Sequence, residues 1–350
     1  MKLTGTDVDF IIIGENVHTT RVLLKRGKRF VSEGDREGVT YTTMKGEARL
    51  LPIPESAKRG QDYEEGRIKH VKIAVQAAMA GEGAEADEGM AYIRQLVHNQ
   101  EQAGAAFLDV NVDEISIKLA DQKAAMAWLV NTVQSMTALP VSVDSSNIEV
   151  IEVGLDACDK DRAAPMLNSA SLERIDALDI AAAHKARVVV TAAGESGMPD
   201  SDGPRVENAS RMVDAALGKG MPAGDLYVDP LIFPISVDGA FGQHSLDAIR
   251  TIRQKYGPEI HITGGMSNVS FGIPARKIIN DVFLILAVEA GADSGIVDPV
   301  LSRPDEVFKI DRTSPSYQLA EDVLMGRDQH CKAYIKAWRK KLLDPLAPAA

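Results

Sequence analysis

Cysteine is nearly absent from this 350-residue chain: Cys158 and Cys331 lie far apart, without a CxxC pair or a histidine-rich companion set. A disulfide framework and a structural zinc site are therefore not expected, and a reducing cytoplasm is the simplest setting. Long apolar runs are missing too. None approaches the roughly 18 residues that would suggest a membrane span, and MKLTGTDVDF lacks the apolar core of a signal peptide. Positive charge is also in deficit. The formal net charge is −11 with no compensating basic domain, which argues against nucleic acid as the main partner. Three local signatures are absent as well: GxGxxG, GxxxxGK[ST] and the GxSxG nucleophile elbow.

What is present is a regular alternation of short β-branched runs and longer stretches with helical periodicity. Strands are predicted at Phe10–Asn16, Phe107–Val112, Val141–Ser146, Met166–Ser169, Arg187–Ala193, Leu226–Phe233, His261–Asn268 and Ser294–Pro299. Helices are predicted at Lys123–Met136, Asn147–Cys158, Ile175–Ala186, Val206–Lys219, Leu246–Tyr256 and Lys277–Ala290, the last stopping at Gly291. Such an alternation admits an open doubly wound sheet or a closed (β/α)8 TIM barrel. The first strand leads into IIIGENVHTTR, not a phosphate loop, so the α/β barrel is favoured, as one domain over 1–350.

One connection breaks the rhythm. Residues 17–88 form an insertion far longer than an ordinary loop. It opens with the basic stretch HTTRVLLKRGKRF (Arg21, Lys25, Arg26, Lys28, Arg29), passes a hairpin-like GVTYTTMKGEARLLPIP, and continues into a helical stretch near Glu64–Ala80. Because it follows a strand's C-terminal end, it should emerge on the active-site face. It is read either as a solvated surface excursion or as a lid or docking element. Residues 320–350 form a C-terminal helical extension, in which KAYIKAWRKKLL with Trp338 is expected to pack on the barrel or on a second copy.

Barrel enzymes place their chemistry at the C-terminal ends of the strands. Glu15-Asn16, Asp109, Asn111, Asp144, Asn168, Asp229, Asn268 and Asp298 stand at those ends, at every strand but the fifth. Any one of them alone reads as a turn former or cap. Together they describe a mouth lined with carboxylates and primary amides. Metal is the first thought for carboxylates, but these ends offer no histidine, and the seven histidines fall mostly in helices or the insertion. No metal site is therefore expected. A carboxylate takes two hydrogen bonds from a ring N–H and an adjacent amine, while an amide donates and accepts. Pterins, purines and guanidine-like ligands present such edges.

The segments GEN, LDVNVD, VSVDSSN, MLNSAS, YVDPLIFP and GGMSNVSFG occur in an order that resembles the pterin-binding methyltransferases. The likeness is to methyltetrahydrofolate:corrinoid-protein methyltransferases and to the folate domain of cobalamin-dependent methionine synthase. It covers residues 9–20 and 90–300. The resemblance implies a (β/α)8 barrel, usually a homodimer, with (methyl)tetrahydrofolate as substrate and a corrinoid held by a separate protein. It implies that Asp144, Asn168 and Asp229 hold the pyrimidine edge of the pterin, with Asn268 near N5. Asp109, Asn111 and Glu15 become floor and wall residues, and Arg276 contacts a carboxylate or steadies its loop. No corrinoid-binding DxHxxG occurs in the chain. A proton or strong hydrogen bond to N5 makes the amine a better leaving group. The transfer can run in either direction, including from a methylcorrinoid to tetrahydrofolate in demethylation and one-carbon catabolism. Dihydropteroate synthase is disfavoured, because its lysines are missing where Asp229–Pro234 and Ser267–Ser270 stand. A folate-binding protein without turnover is the other alternative. An aldolase or isomerase would need a lysine or metal set that the strand ends lack.

Overall fold

The computed structural model describes residues 1–33, 36–195 and 197–348. Eight strands form the main sheet: β1 (Ile11–His18), β2 (Phe107–Asn111), β3 (Val141–Asp144), β4 (Met166–Ala170), β5 (Arg187–Thr191), β6 (Leu226–Asp229), β7 (His261–Ile262) and β8 (Ser294–Val297). Their order is β7-β6-β5-β4-β3-β2-β1-β8, each strand beside its neighbour in sequence and β1 returning beside β8. That cyclic order is a (β/α)8 barrel. A parallel bridge from Gly265 to Ile296 joins the segment after β7 to β8.

Burial explains the strand sequences. A parallel sheet covered on both faces needs near-continuous apolar runs. Val188, Val189 and Val190 of β5 and Leu226, Tyr227 and Val228 of β6 are almost wholly buried. Polar residues inside such runs therefore stand out, and all five residues of β2 are buried, Asp109 and Asn111 among them.

The chain divides into two compact units, Gly14–Met166 and Met1–Ile13 with Leu167–Ala350. In the first, the register sets Asp109 beside Ser142 and Asn111 beside Asp144. The helix Ala84–Gln102 sends Gln100 against β1, where its Oε1 accepts from the Asn16 N–H at 2.9 Å. A Cβ at position 14 would sit 2.5 Å from that oxygen, so a larger residue there would displace the Gln100 amide. The insertion supplies a three-stranded antiparallel sheet (Phe30–Glu33, Arg36–Thr42, Ala48–Pro52), a short pairing of Leu23–Leu24 with Arg67–Ile68, and the helix His70–Met79. The expected hairpin is thus present. Some of the basic residues are structural: Arg29 donates to Tyr92 Oη at 2.6 Å and to the Thr40 carbonyl at 3.1 Å, and Lys25 lies 3.0 Å over the Tyr63 ring.

In the second unit, β5 and β6 pair in parallel with Thr191 beside Asp229, and Tyr227 and Val228 of β6 pair with β7. The helix Arg276–Ala290 ends at Gly291, whose φ of +118° is a left-handed stop. In the C-terminal helix Lys332–Arg339, Tyr334 is buried and donates to the Ala275 carbonyl at 3.1 Å, while Trp338 remains 47% exposed. Among the described residues no helix is long and apolar enough to cross a membrane.

Two boundaries need correction. Strand β1 runs on to His18 rather than stopping at Asn16, so the insertion begins later than residue 17. Strand β7 is only His261–Ile262, and Asn268 lies beyond it in the 3-10 turn Met266–Ser270. Gly264, with φ of +158°, follows the strand, and a Cβ there would meet Ile232 Cδ1 at 2.7 Å.

Candidate active site

Within residues 14–166 the polar ends of β1, β2 and β3 form one buried cluster. Period-two alternation puts Asp109 and Asn111 on the same face of β2. Asn111 then donates through Nδ2 to Asp144 Oδ2 at 2.8 Å, and its Oδ1 accepts from the Asp113 N–H at 2.9 Å. His18 Nε2 lies 2.9 Å from Asp109 Oδ2, with side-chain exposures of 12% and 1%. Ligand atoms of His18, Asp109 and Asp144 all fall within 4.8 Å of one another, a group able to hold a metal ion. The expectation that the strand ends offer no histidine is therefore overturned. Sequence reasoning missed His18 because it follows Val17 at the apparent start of the insertion, and only the extra turn of strand brings it to the acids.

Electrostatics in this cluster follow from burial. Desolvation raises the Asp144 carboxyl well above the ordinary range, the Asp109 charge adds to that, and His18 and the Asn111 amide oppose it. For His18, burial alone would lower the pKa, but the Asp109 hydrogen bond and the charges of Asp109, Asp144 and Glu15 outweigh it and raise the net value. Glu15 is half-buried and pairs with Arg21 at 3.3 Å. Beyond the cluster, Asp113 is a turn organiser. It accepts from Ser145 Oγ at 2.5 Å and from the Ser146 N–H at 2.9 Å.

A second cluster belongs to residues 167–350. Asp229 ends β6, and its Oδ1 accepts from the Leu231 N–H at 2.8 Å. Burial pushes its carboxyl up to about 6, opposed by that N–H and by the charge of Arg205. A Cβ at position 264 would meet Asp229 Oδ1 at 3.0 Å and Ile232 Cδ1 at 2.7 Å, so Gly264 is what lets the GGMSN backbone lie against the acid. A Cβ at 265 would meet Asn268 Nδ2 at 2.8 Å. Asn268 is exposed, while Asn168 on β4 is 8% exposed. Arg276 donates to the Ser267 carbonyl at 2.7 Å and to Ser270 Oγ at 2.9 Å, fixing the turn on either side of Asn268. Asp298 accepts from the N–H groups of Val300 and Leu301 at 3.1 and 3.0 Å, as an ordinary turn former does.

Comparison with known proteins shows the family. Residues 82–298 match the family model described as "Pterin binding enzyme". A methylcorrinoid:tetrahydrofolate methyltransferase of Eubacterium limosum is 30% identical over 290 residues, 80% of this chain and 96% of that protein. A methionine synthase of Mycobacterium leprae is 31% identical over 58% of this chain but only 17% of its own length. Among solved structures, a dihydropteroate synthase of Xanthomonas albilineans aligns with a TM-score of 0.50 at 19% identity, covering 64% of this chain and 86% of that one. At that identity the likeness speaks for the barrel fold alone.

Proposed function

Because the chain belongs to the pterin-binding enzyme family and is a methyltransferase, we propose that it moves a methyl group between N5 of tetrahydrofolate and the cobalt of a corrinoid carried by a separate protein. The observation that carries this reading is the pair at the ends of β2 and β3, where the Asn111 amide donates at 2.8 Å to the desolvated Asp144 carboxyl. Asp144 and Asn168 are assigned to the pyrimidine edge of the pterin, as Asp229 is, with Asp109, Asn111 and Glu15 as supporting floor and wall. A carboxylate and an amide side by side match that edge's donors and acceptors.

Asn268 is assigned to N5. Its amide cannot act as an acid at neutral pH, but it donates to or accepts from the nitrogen and so orients it. Asp229 lies against the same GGMSN segment, and a carboxyl pushed up to about 6 releases and takes a proton near neutrality. In the direction favoured by the name of the Eubacterium relative, the N5 lone pair forms the new N–CH3 bond. The carbon–cobalt bond breaks with its electron pair left on the metal. The N5 proton passes to Asp229, directly or through water. In the opposite direction the same proton returns to N5 as the methyl group departs. We assign the chain to methyl-group catabolism in the cytoplasm, as a homodimer; exposed Trp338 suits a face covered by a second copy.

The insertion is proposed to hold the anionic glutamate tail of the folate. A cavity of about 240 Å³ lies between its two short helices and His70–Met79, lined by Tyr63, Arg67, Lys69 and Lys72 among others. Lys69 also pairs with Glu114 at 2.7 Å, three residues beyond Asn111, which ties this cavity to the end of β2. The deciding experiment is titration with methyltetrahydrofolate and tetrahydrofolate, followed by addition of free cob(I)alamin while the corrinoid spectrum is recorded. Saturable binding and spectral conversion to methylcobalamin are expected. Absence of folate binding overturns the reading, and binding without conversion leaves only a folate carrier.

A further inference from the structure

Arg205 is the largest wholly buried side chain among the described residues. It sits in the first turns of the helix Asp202–Gly218 with 0% exposure. All three guanidinium nitrogens are buried without a hydrogen-bond partner among the described residues. The group lies 4.9 Å from the centre of the Phe233 ring and 5.5 Å from that of Phe241, two rings that themselves meet edge to face at 5.4 Å. A guanidinium cannot shed its proton to escape this setting. Taking such a charge out of water without hydrogen bonds is costly, and two aromatic faces repay only part of that. A surrounding that accepts the cost has fixed a positive charge where one is needed.

The charge has few recipients. The acids that act on Arg205 are Asp202, Asp200 and Asp229. Asp202 already pairs with His244 of the next helix at 2.9 Å, with side-chain exposures of 44% and 29%, and Asp200 is exposed. Asp229 is the remaining acid and the least solvated. Its strand neighbour Thr191 is neutral, and its carboxylate accepts from the Leu231 N–H at 2.8 Å. Phe233 connects the two groups covalently, since it stands four residues after Asp229 in the same DPLIFP segment.

We propose that Arg205 is a positioning residue for the methyl-transfer site: clamped between Phe233 and Phe241, its guanidinium supplies the buried positive charge that holds Asp229 as a carboxylate. Arg205 touches no reacting atom in this scheme. It acts through Asp229, and the inference rests on the functional reading above only for the purpose that carboxylate serves.

The test reads Asp229 itself. Carboxyl-carbon NMR of aspartate-labelled protein, with Asp229→Asn to assign the signal, gives its titration midpoint in wild type, Arg205→Met, Arg205→Lys and Phe241→Leu. Circular dichroism melts check that each variant is folded. Arg205→Met should raise the midpoint by roughly one pH unit, and Arg205→Lys should restore most of it. Phe241 is half-buried, so Phe241→Leu tests the clamp even if Arg205→Met does not fold, and it should shift the midpoint in the same direction by less. In parallel, methyltetrahydrofolate affinity at pH 6.5 should fall by about threefold in Arg205→Met, as a midpoint moving from about 6 to about 7 implies, and recover at higher pH. A folded Arg205→Met or Phe241→Leu protein whose Asp229 midpoint stays at the wild-type value overturns the inference. Failure of wild type to bind methyltetrahydrofolate overturns the functional reading instead and leaves the NMR result standing.

Discussion

Asp229→Asn is expected to make the protein more stable and less active. In the folded chain burial pushes this carboxyl up to about 6, from 3.8 for a free aspartate. A raised carboxyl pKa means the folded state binds the proton more tightly than the unfolded state does. Between pH 3.8 and about 6 the unfolded chain has lost that proton while the folded chain keeps it, so stability falls as pH rises through this window. Two units at about 1.4 kcal/mol each give a cost of ~3 kcal/mol at pH 7 and above. Asparagine has the same shape, keeps an oxygen for the Leu231 N–H, and carries no charge. The stability difference between Asp229→Asn and wild type should therefore be nearly constant below pH 4 and grow by about 2–3 kcal/mol up to pH 6.5. Urea unfolding followed by circular dichroism at half-unit pH intervals reads it. Taking the difference cancels the other titrating groups, among them Asp62 and Glu37, whose pKa values are lowered in the folded chain. Methyltetrahydrofolate binding by the variant should weaken at least tenfold at pH 7, about 1.4 kcal/mol. A difference curve that is flat across the window, or that favours wild type at pH 7, would refute the claim that the fold carries an unfavourable charge at this position.

Asn268→Ala should bind methyltetrahydrofolate more weakly and transfer methyl at least tenfold more slowly; a rate within about twofold of wild type, under half a kcal/mol of barrier, removes Asn268 from N5. Dialysis against a chelator should leave the rate to free cob(I)alamin unchanged, and a loss reversed by a divalent ion would instead place that ion on His18, Asp109 and Asp144. Deleting Lys25–Pro54 should reduce affinity for folates with several glutamates, or for the corrinoid partner, and unchanged affinity for both would discard the role given to the insertion.

Much of the site was legible because parallel strands are monotonous. In runs such as FLDVN and LYVD a single acid or amide stands out, and its place at the strand's end marks the face it serves. The hairpin in the insertion was legible for a similar reason: an apolar and β-branched run turns at MKGE and returns. His18 was not legible. Its neighbours Thr19 and Thr20 read as the beginning of a loop, and what extends the strand lies far along the chain, where the Asn111 carbonyl accepts from the Thr19 N–H at 3.0 Å. Arg205 was hidden as well, because an arginine near a helix start next to aspartates reads as a solvated surface charge.

By itself, then, the amino-acid order determined the barrel, the presence of a long excursion after the first strand, and which strand ends carry carboxylates and amides. Those properties follow from local periodicity and from the position of polar residues within apolar runs. The tertiary structure decided what each group experiences. It brought His18 against Asp109, turned Arg276 onto its own loop, exposed Asn268 while desolvating Asp229, and enclosed a guanidinium between two rings. Desolvation and pairing depend on residues far apart in the chain, and proton affinities follow from them rather than from residue type.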